Sequence, residues 1–200
     1  MSSKSYDLIC MGRSSIDLYS NDSGAQFKDI TSFASFVGGW RSLLHLVDFV
    51  IGTQEEIKAA MLKEKSHVTV KDSQVSAPEV LGDEKVCIAG LLKCGPKAVI
   101  EKRGSDGAAV HLADGKFETA EPFKVDICNL LGAGDAFASG FIYGYLKGWD
   151  WKKCVRIGNA TGAIVVTKQG CANFMPTETE ALDFVARHGG FATESLGVRR

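Results

Sequence analysis

Apolar positions along the chain fall into short runs bounded by glycine and polar residues, and their spacing alternates between strand and helix periods. Leu8-Ile-Cys-Met11, ending at Gly12, reads as a short buried strand, and Ile16-Asp-Leu-Tyr19 as an alternating extended segment. Leu46-Val-Asp-Phe-Val-Ile51, closed by Gly52-Thr53, predicts another strand. Gln54 to Leu62, with apolar Ile57, Met61 and Leu62, predicts the helix that follows it. Residues 63–83 are polar and weakly patterned, with a short extended piece at Val68-Thr-Val70, and Glu84 to Leu92 returns to a helical pattern.

Three strand-like runs come next: Ala98 to Arg103, Ala108 to Leu112 and Lys116 to Thr119. Gly104-Ser-Asp-Gly107 and Ala113-Asp-Gly115 separate them, which predicts a hairpin series. An extended segment through Phe123 to Ile127 leads to a glycine turn, and helices then dominate. They are predicted from Asp135 to Leu146, from Trp151 to about Lys168, and from Glu178 to about Arg187 after the Pro176-Thr177 start signal. Strands alternating with helices argue for an α/β sandwich. No internal repeat or low-complexity tract interrupts the pattern, and the tail from Gly189 is expected to fray.

The glycine turn, Asn129-Leu-Leu-Gly-Ala-Gly-Asp-Ala-Phe-Ala-Ser-Gly-Phe141, carries the most chemistry. Gly132 and Gly134 let backbone approach a ligand, and the helix start beyond them leaves N–H groups free to bind an anion. Asp135 would stand beside a bound phosphate. A carboxylate repels that anion, so its natural role there is to accept a proton from an attacking hydroxyl. The alternative is a helix start at which Asp135 only complements the helix dipole, worth about 0.3–1 kcal/mol.

Composition narrows the remaining choices. With 200 residues, 45% of them hydrophobic, and a mean hydropathy near zero, the chain can bury one sizeable core. Its 23 basic and 24 acidic residues form no basic block, so a nucleic-acid surface is not indicated. Small molecules or other protein chains are the expected partners, which leaves a homo-oligomer open. The polar start and its short apolar run suit neither a signal peptide nor a membrane span, so a cytoplasmic location is expected. The six cysteines are scattered without metal-ligand spacing and are expected to be reduced core thiols, with no zinc. His45 is expected to be a partly buried helix-face imidazole, and Trp149 and Trp151 to be packing residues.

The glycine-turn string resembles the C-terminal signature of the ribokinase-like, phosphofructokinase-B type carbohydrate kinases. Five further places match in order along the chain: Gly12-Arg-Ser-Ser-Ile-Asp17, Gly38-Gly39, Thr53-Gln-Glu-Glu56, Lys102-Arg-Gly104 with Gly107, and Asn159 within Gly158-Asn-Ala-Thr-Gly-Ala163. The resemblance implies a ribokinase-like three-layer α/β/α sandwich, here with an incomplete sheet. It implies ATP and Mg2+ as cofactors, with a monovalent cation as a further candidate. Asp135 would be the catalytic base, with Ala133 and Gly134 as the anion hole. Gly132, Lys102, Gly104, Gly107 and Asn159 would flank the nucleotide, and Glu56 would hold magnesium through water. Asp17, Gly38 and Gly39 would bind the sugar. Neither a P-loop G-x-x-x-x-G-K-[ST] nor a dinucleotide G-x-G-x-x-G competes.

Within that family the likeness is greatest to the 5-dehydro-2-deoxygluconokinases of inositol breakdown, through 12–19, 33–39, 50–56 and 129–135. It implies a sugar acid and ATP as substrates; fructokinases and ketodeoxygluconate kinases share most of these residues. Two departures stand out. Thr53 replaces the usual Asn, and Asn129 stands where many relatives have Asp near a cation site. After Gly39, moreover, the seven residues Trp40 to Leu46 lead straight into the next strand. A crossover between parallel neighbours needs about a dozen. This seam implies an internal deletion joining a remnant of the sugar-binding part, 1–39, to a nucleotide-binding part, 46–188, in one shortened domain of roughly two-thirds of a family length. A non-catalytic nucleotide-binding remnant is the alternative.

Overall fold

The structure, a computed structural model, describes residues 16–20, 33–37, 44–61, 68–69, 79–170 and 172–191. The chain divides into two units, Met1–Leu44 and His45–Arg200. In the first, β1 (Ile16–Ser20) pairs antiparallel with β2 (Phe33–Val37), with Ile16 opposite Val37 and Asp17 opposite Phe36. The predicted strand at Leu8–Met11 lies outside the described residues.

The second unit is built on β3 (Phe49–Thr53), β6 (Ala98–Lys102), β7 (Ala108–Leu112) and β8 (Phe117–Ala120), in spatial order β3-β6-β7-β8. β3 and β6 run parallel, while β6-β7-β8 is the predicted series of antiparallel hairpins. The parallel pair needs a crossover, and the segment between them supplies it through α1 (Gln54–Ala60) and α2 (Glu84–Lys93). Two short strands in that segment, β4 (Val68–Thr69) and β5 (Glu79–Val80), pair antiparallel. β5 has no signal of its own in the sequence. It is anchored from outside: the Val80 N–H donates to Glu55 Oε2 at 2.6 Å, and Val80 is buried.

Strand parity decides which helices cover which face. Ala98, Ile100, Ala108 and Val110 pack with Phe137, Phe141, Cys154 and Val155 of α3 (Ala133–Leu146) and α4 (Trp151–Val166). Burying a side chain the size of Phe141 contributes about 1.5–3 kcal/mol. Val99 and Ala109 point the other way and are equally buried, on the side of α1 and α2. The result is three layers, helices on a mixed sheet on helices. α3 and α4 approach closely because Gly140 has no side chain: a Cβ there would collide with Thr161 Oγ1 and stand 2.9 Å from the Ile157 carbonyl. The Thr161 hydroxyl instead donates to the Ala136 carbonyl at 2.6 Å, joining the helices. α5 (Glu178–Arg187) starts in a Thr177–Glu180 capping box and packs Ala181 and Val185 on Ile157 and Ala160.

Several expectations shift. The strand predicted from Leu46 begins only at Phe49, because 44–46 forms a 3-10 turn. His45 is exposed in that turn, not partly buried on a helix. Among the described cysteines only Cys154 is in the core, whereas Cys128 is exposed. Trp151 packs on the sheet core and Trp149 against Tyr143 and Phe191, as packing residues should. No helix of the described residues is long and apolar enough to cross a membrane.

Candidate active site

β3 ends at Thr53, which pairs in register with Lys102 at the end of β6. Thr53 caps α1 in a capping box. The Glu56 N–H donates to Thr53 Oγ1 at 3.3 Å, and Glu56 Oε2 accepts from the Thr53 N–H at 2.7 Å. This folds the Glu56 carboxylate back over the strand ends, where the same Oε2 lies 3.5 Å from Lys102 Nζ. The ammonium also meets α3, since a Cβ built on Gly134 would be 2.9 Å from it. Glu56, Lys102 and Gly134, from three separate elements, therefore converge on one cationic group.

The glycine turn prepares α3 for an anion. Gly132, the N-cap, has φ +83°, a left-handed conformation that a side chain would strain. The Ala133 N–H donates to the Leu130 carbonyl at 3.3 Å and the Ala136 N–H to the Gly132 carbonyl at 2.9 Å. The amides of Gly134 and Asp135 between them have no acceptor among the described residues. The Asp135 residue is exposed, while its backbone carbonyl accepts from Ser139 Oγ at 2.9 Å. Asn129 Oδ1 accepts from the Leu131 N–H at 3.0 Å and so closes the turn that leads in.

A second group forms at the end of β8. After Lys102 the chain makes a 3-10 turn over Gly104–Asp106 and leaves it at Gly107. A Cβ on Gly107 would stand 2.6 Å from the Ala120 carbonyl. Asn159 of α4 donates to that same carbonyl and to the Glu121 carbonyl, each at 3.0 Å. Gly107 and Asn159 thus meet at one strand end, and the Asn159 amide ties α4 to it. Of the remaining candidates, Asp17 is the second residue of β1 in the other unit, and Gly38 and Gly39 lie outside the described residues.

The residues present fit a nucleotide phosphate chain. A partly buried ammonium, two free helix-start amides and a side-chain-free approach at Gly134 suit an anion, and the Glu56 carboxylate suits the hydrated cation that accompanies it. The described residues contain no cluster of three or more His, Cys, Asp or Glu side chains able to hold a metal directly.

The pfkB family carbohydrate kinase pattern matches residues 9–178. The chain belongs to that family. Among curated relatives, the 5-dehydro-2-deoxygluconokinase of Clostridium perfringens (strain 13 / Type A) is 38% identical over 96 residues, covering 48% of this chain and 28% of that protein. The enzyme of the same name from Clostridium botulinum (strain Alaska E43 / Type E3) is 34% identical over 141 residues, 69% of this chain and 37% of that protein. A putative ribokinase II from E. coli, solved in complex with ATP and Mg2+, superposes with a TM-score of 0.59 at 28% identity, over 74% of this chain and 42% of that one. Thermotoga maritima ribokinase superposes with a TM-score of 0.60 at 23% identity, covering 73% and 44%. The fold is therefore ribokinase-like, with an incomplete sheet, and the matched part spans less than half the length of these kinases.

One buried polar group of this pfkB-family chain lies outside the predicted site residues. Glu101, on β6, is 2% exposed; its Oε1 accepts from Gln54 Nε2 at 3.1 Å and its Oε2 lies 2.9 Å from His111 Nε2. Burial and the adjacent Glu101 charge push the Glu84 carboxyl above the usual carboxylate range. The signal was available. In Ala98-Val-Ile-Glu-Lys102 and Ala108-Ala-Val-His-Leu112, Glu101 and His111 share the parity of buried Val99 and Ala109, so an ionisable pair must face a covered layer.

Proposed function

We propose that this chain carries the nucleotide half of an ATP-dependent kinase that phosphorylates a hydroxyl of a sugar acid, 5-dehydro-2-deoxy-D-gluconate in inositol catabolism, in the cytoplasm. The observation that supports it most is the convergence of Glu56 and the α3 start at Gly134 on the Lys102 ammonium. The names of the curated relatives support the substrate.

Bound Mg-ATP would supply the transferable phosphoryl group. In this reading the amides of Gly134 and Asp135 and the Lys102 ammonium neutralise charge on the phosphates, while Glu56 orients the water shell of the magnesium. Asp135 would accept the hydroxyl proton as the new O–P bond forms and the bond from the γ-phosphorus to the leaving ADP breaks. Gly104, Gly107 and Asn159 build the wall beside the nucleotide, Gly132 shapes the turn, and Ala133 completes the anion hole. Asp17, Gly38 and Gly39 hold the sugar.

Positioning limits the rate. Effective molarities of about 10⁵–10⁸ M require the hydroxyl to be held in line with the phosphate, and in the deletion reading the segment that would align it after Gly39 is missing. The 200 residues are therefore expected to bind Mg-ATP but turn over sugar very slowly. A coupled ATPase assay, with and without 5-dehydro-2-deoxygluconate, is to be run beside a chain carrying a restored segment after Gly39. Equal turnover from both would overturn the deletion reading.

A non-catalytic nucleotide-binding remnant is the second reading. It is favoured by β3, which among the described residues is a terminal strand with an open edge. Sugar binding by calorimetry without Mg-ATP binding would defeat both readings.

A further inference from the structure

Glu101 is the only charged residue that the described fold buries. A buried carboxylate costs several kcal/mol of desolvation unless partners compensate, and an apolar residue in its place is often as stable or more so. Its partners here are not arbitrary. Gln54 is the first residue of α1, directly after the Thr53 cap and two before Glu56. Gln54 is itself exposed, so its side chain is ordered by the bond to Glu101 and not by packing. The other oxygen of Glu101 is held by His111 from β7, and Glu84 of α2 crowds the same group. Lys58 of α1 also faces Glu84, but is itself paired with Glu55 at 3.0 Å.

We propose that Glu101 is a positioning residue. Anchored by His111, it holds Gln54 and so fixes the first turn of α1 at the angle that presents Glu56 Oε2 to Lys102 Nζ. The inference rests on the reading of that edge as the phosphate site. It adds to it a residue that touches neither nucleotide nor metal. The logic is mechanical: the capping box fixes Glu56 relative to Thr53, and the Gln54–Glu101 hydrogen bond ties the first turn laterally to β6, the strand that carries Lys102, independently of the Glu56–Lys102 pair.

The test exchanges donor and acceptor in the full 200-residue chain. Gln54→Glu removes the donor and sets two carboxylates against each other, and Gln54→Met removes the donor without adding charge. Gln54→Glu with Glu101→Gln restores one hydrogen bond with its polarity reversed. Amide hydrogen exchange at Glu56 and Ile57 in the free protein should accelerate about tenfold in both single variants, the size expected for losing a hydrogen bond to a charged group. It should return to the parent rate in the double variant. Mg-ATP affinity by calorimetry should follow the same order, with a lowered melting temperature in Gln54→Met because one oxygen of buried Glu101 loses its partner. Unaltered exchange at Glu56 in both single variants, or no recovery in a folded double variant, would overturn the positioning role. A parent chain that fails to bind Mg-ATP would sink the phosphate-site reading alone, because the exchange measurement needs no nucleotide.

Discussion

Lys102 Nζ stands 3.5 Å from Glu56 Oε2, the oxygen that also accepts the Thr53 N–H at 2.7 Å. One carboxylate oxygen thus serves both a helix cap and an ion pair with a second strand. The two roles can be separated by chemistry. Glutamine can fill the third position of a capping box as glutamate does, but it brings no charge.

Glu56→Gln should therefore melt close to the parent chain, whereas Glu56→Ala should lose about 0.5–1 kcal/mol of cap stability. If Glu56 organises magnesium, both variants should need several-fold more Mg2+ to bind ATP. Thermal melts and magnesium-titrated calorimetry check the pair. Parent-like magnesium dependence in Glu56→Gln would reduce Glu56 to a cap.

Asp135 separates chemistry from binding in a different way. Its side chain is exposed and makes no hydrogen bond among the described residues, so the fold does not need it. In a chain restored to sugar-kinase turnover, Asp135→Asn should lower kcat by about 10²–10⁴, the range for losing a general base. ATP affinity should change little. Steady-state kinetics and calorimetry on the same preparation would reveal the split, and full activity would return Asp135 to a helix-dipole role.

The strong local signals were the legible ones. Glycine and aspartate punctuation placed the β6-β7-β8 hairpins, and the Pro176-Thr177 signal placed α5 over Glu178–Arg187. The glycine turn announced itself because few other residues tolerate the Gly132 conformation. The parallel pairing of β3 with β6, which brings Thr53 beside Lys102, is a long-range event with no local signature. Glu101 was missed for a related reason. Read alone, a glutamate near a strand end is a solvated residue, and only its partners on α1 and β7 make burial tolerable.

Gly140 tests the closeness of α3 and α4. An alanine would gain up to about 1 kcal/mol of helix propensity, but its methyl would collide with Thr161 Oγ1 and crowd the Ile157 carbonyl. Backbone cannot give as a flexible side chain can. Gly140→Ala is expected to lose about 1–3 kcal/mol overall, read as a lower urea midpoint at constant m. A raised midpoint would mean that the two helices can slide apart without cost.

Cys154 gives the chain a pH dependence whose sign can be worked out. The thiol is fully buried against the sheet, its Sγ 3.6 Å from the Trp149 carbonyl, and burial first, then the Asp150 charge, pushes it up from 9.0 to about 11. Between those values the unfolded thiol has lost its proton while the folded one keeps it. The unfolded state then binds fewer protons, so unfolding becomes easier as pH rises. The stabilisation is complete below pH 9.0 and is lost progressively toward about pH 11. Tyr143, pushed up to about 12 by its hydrogen bond to Glu178, adds a similar slope at the upper end of this window. Urea midpoints from pH 8 to 11 for the parent and for Cys154→Ala isolate the thiol by difference. The parent should lose its advantage over the variant as pH rises, and parallel curves would show that burial leaves this thiol free to ionise in the folded protein.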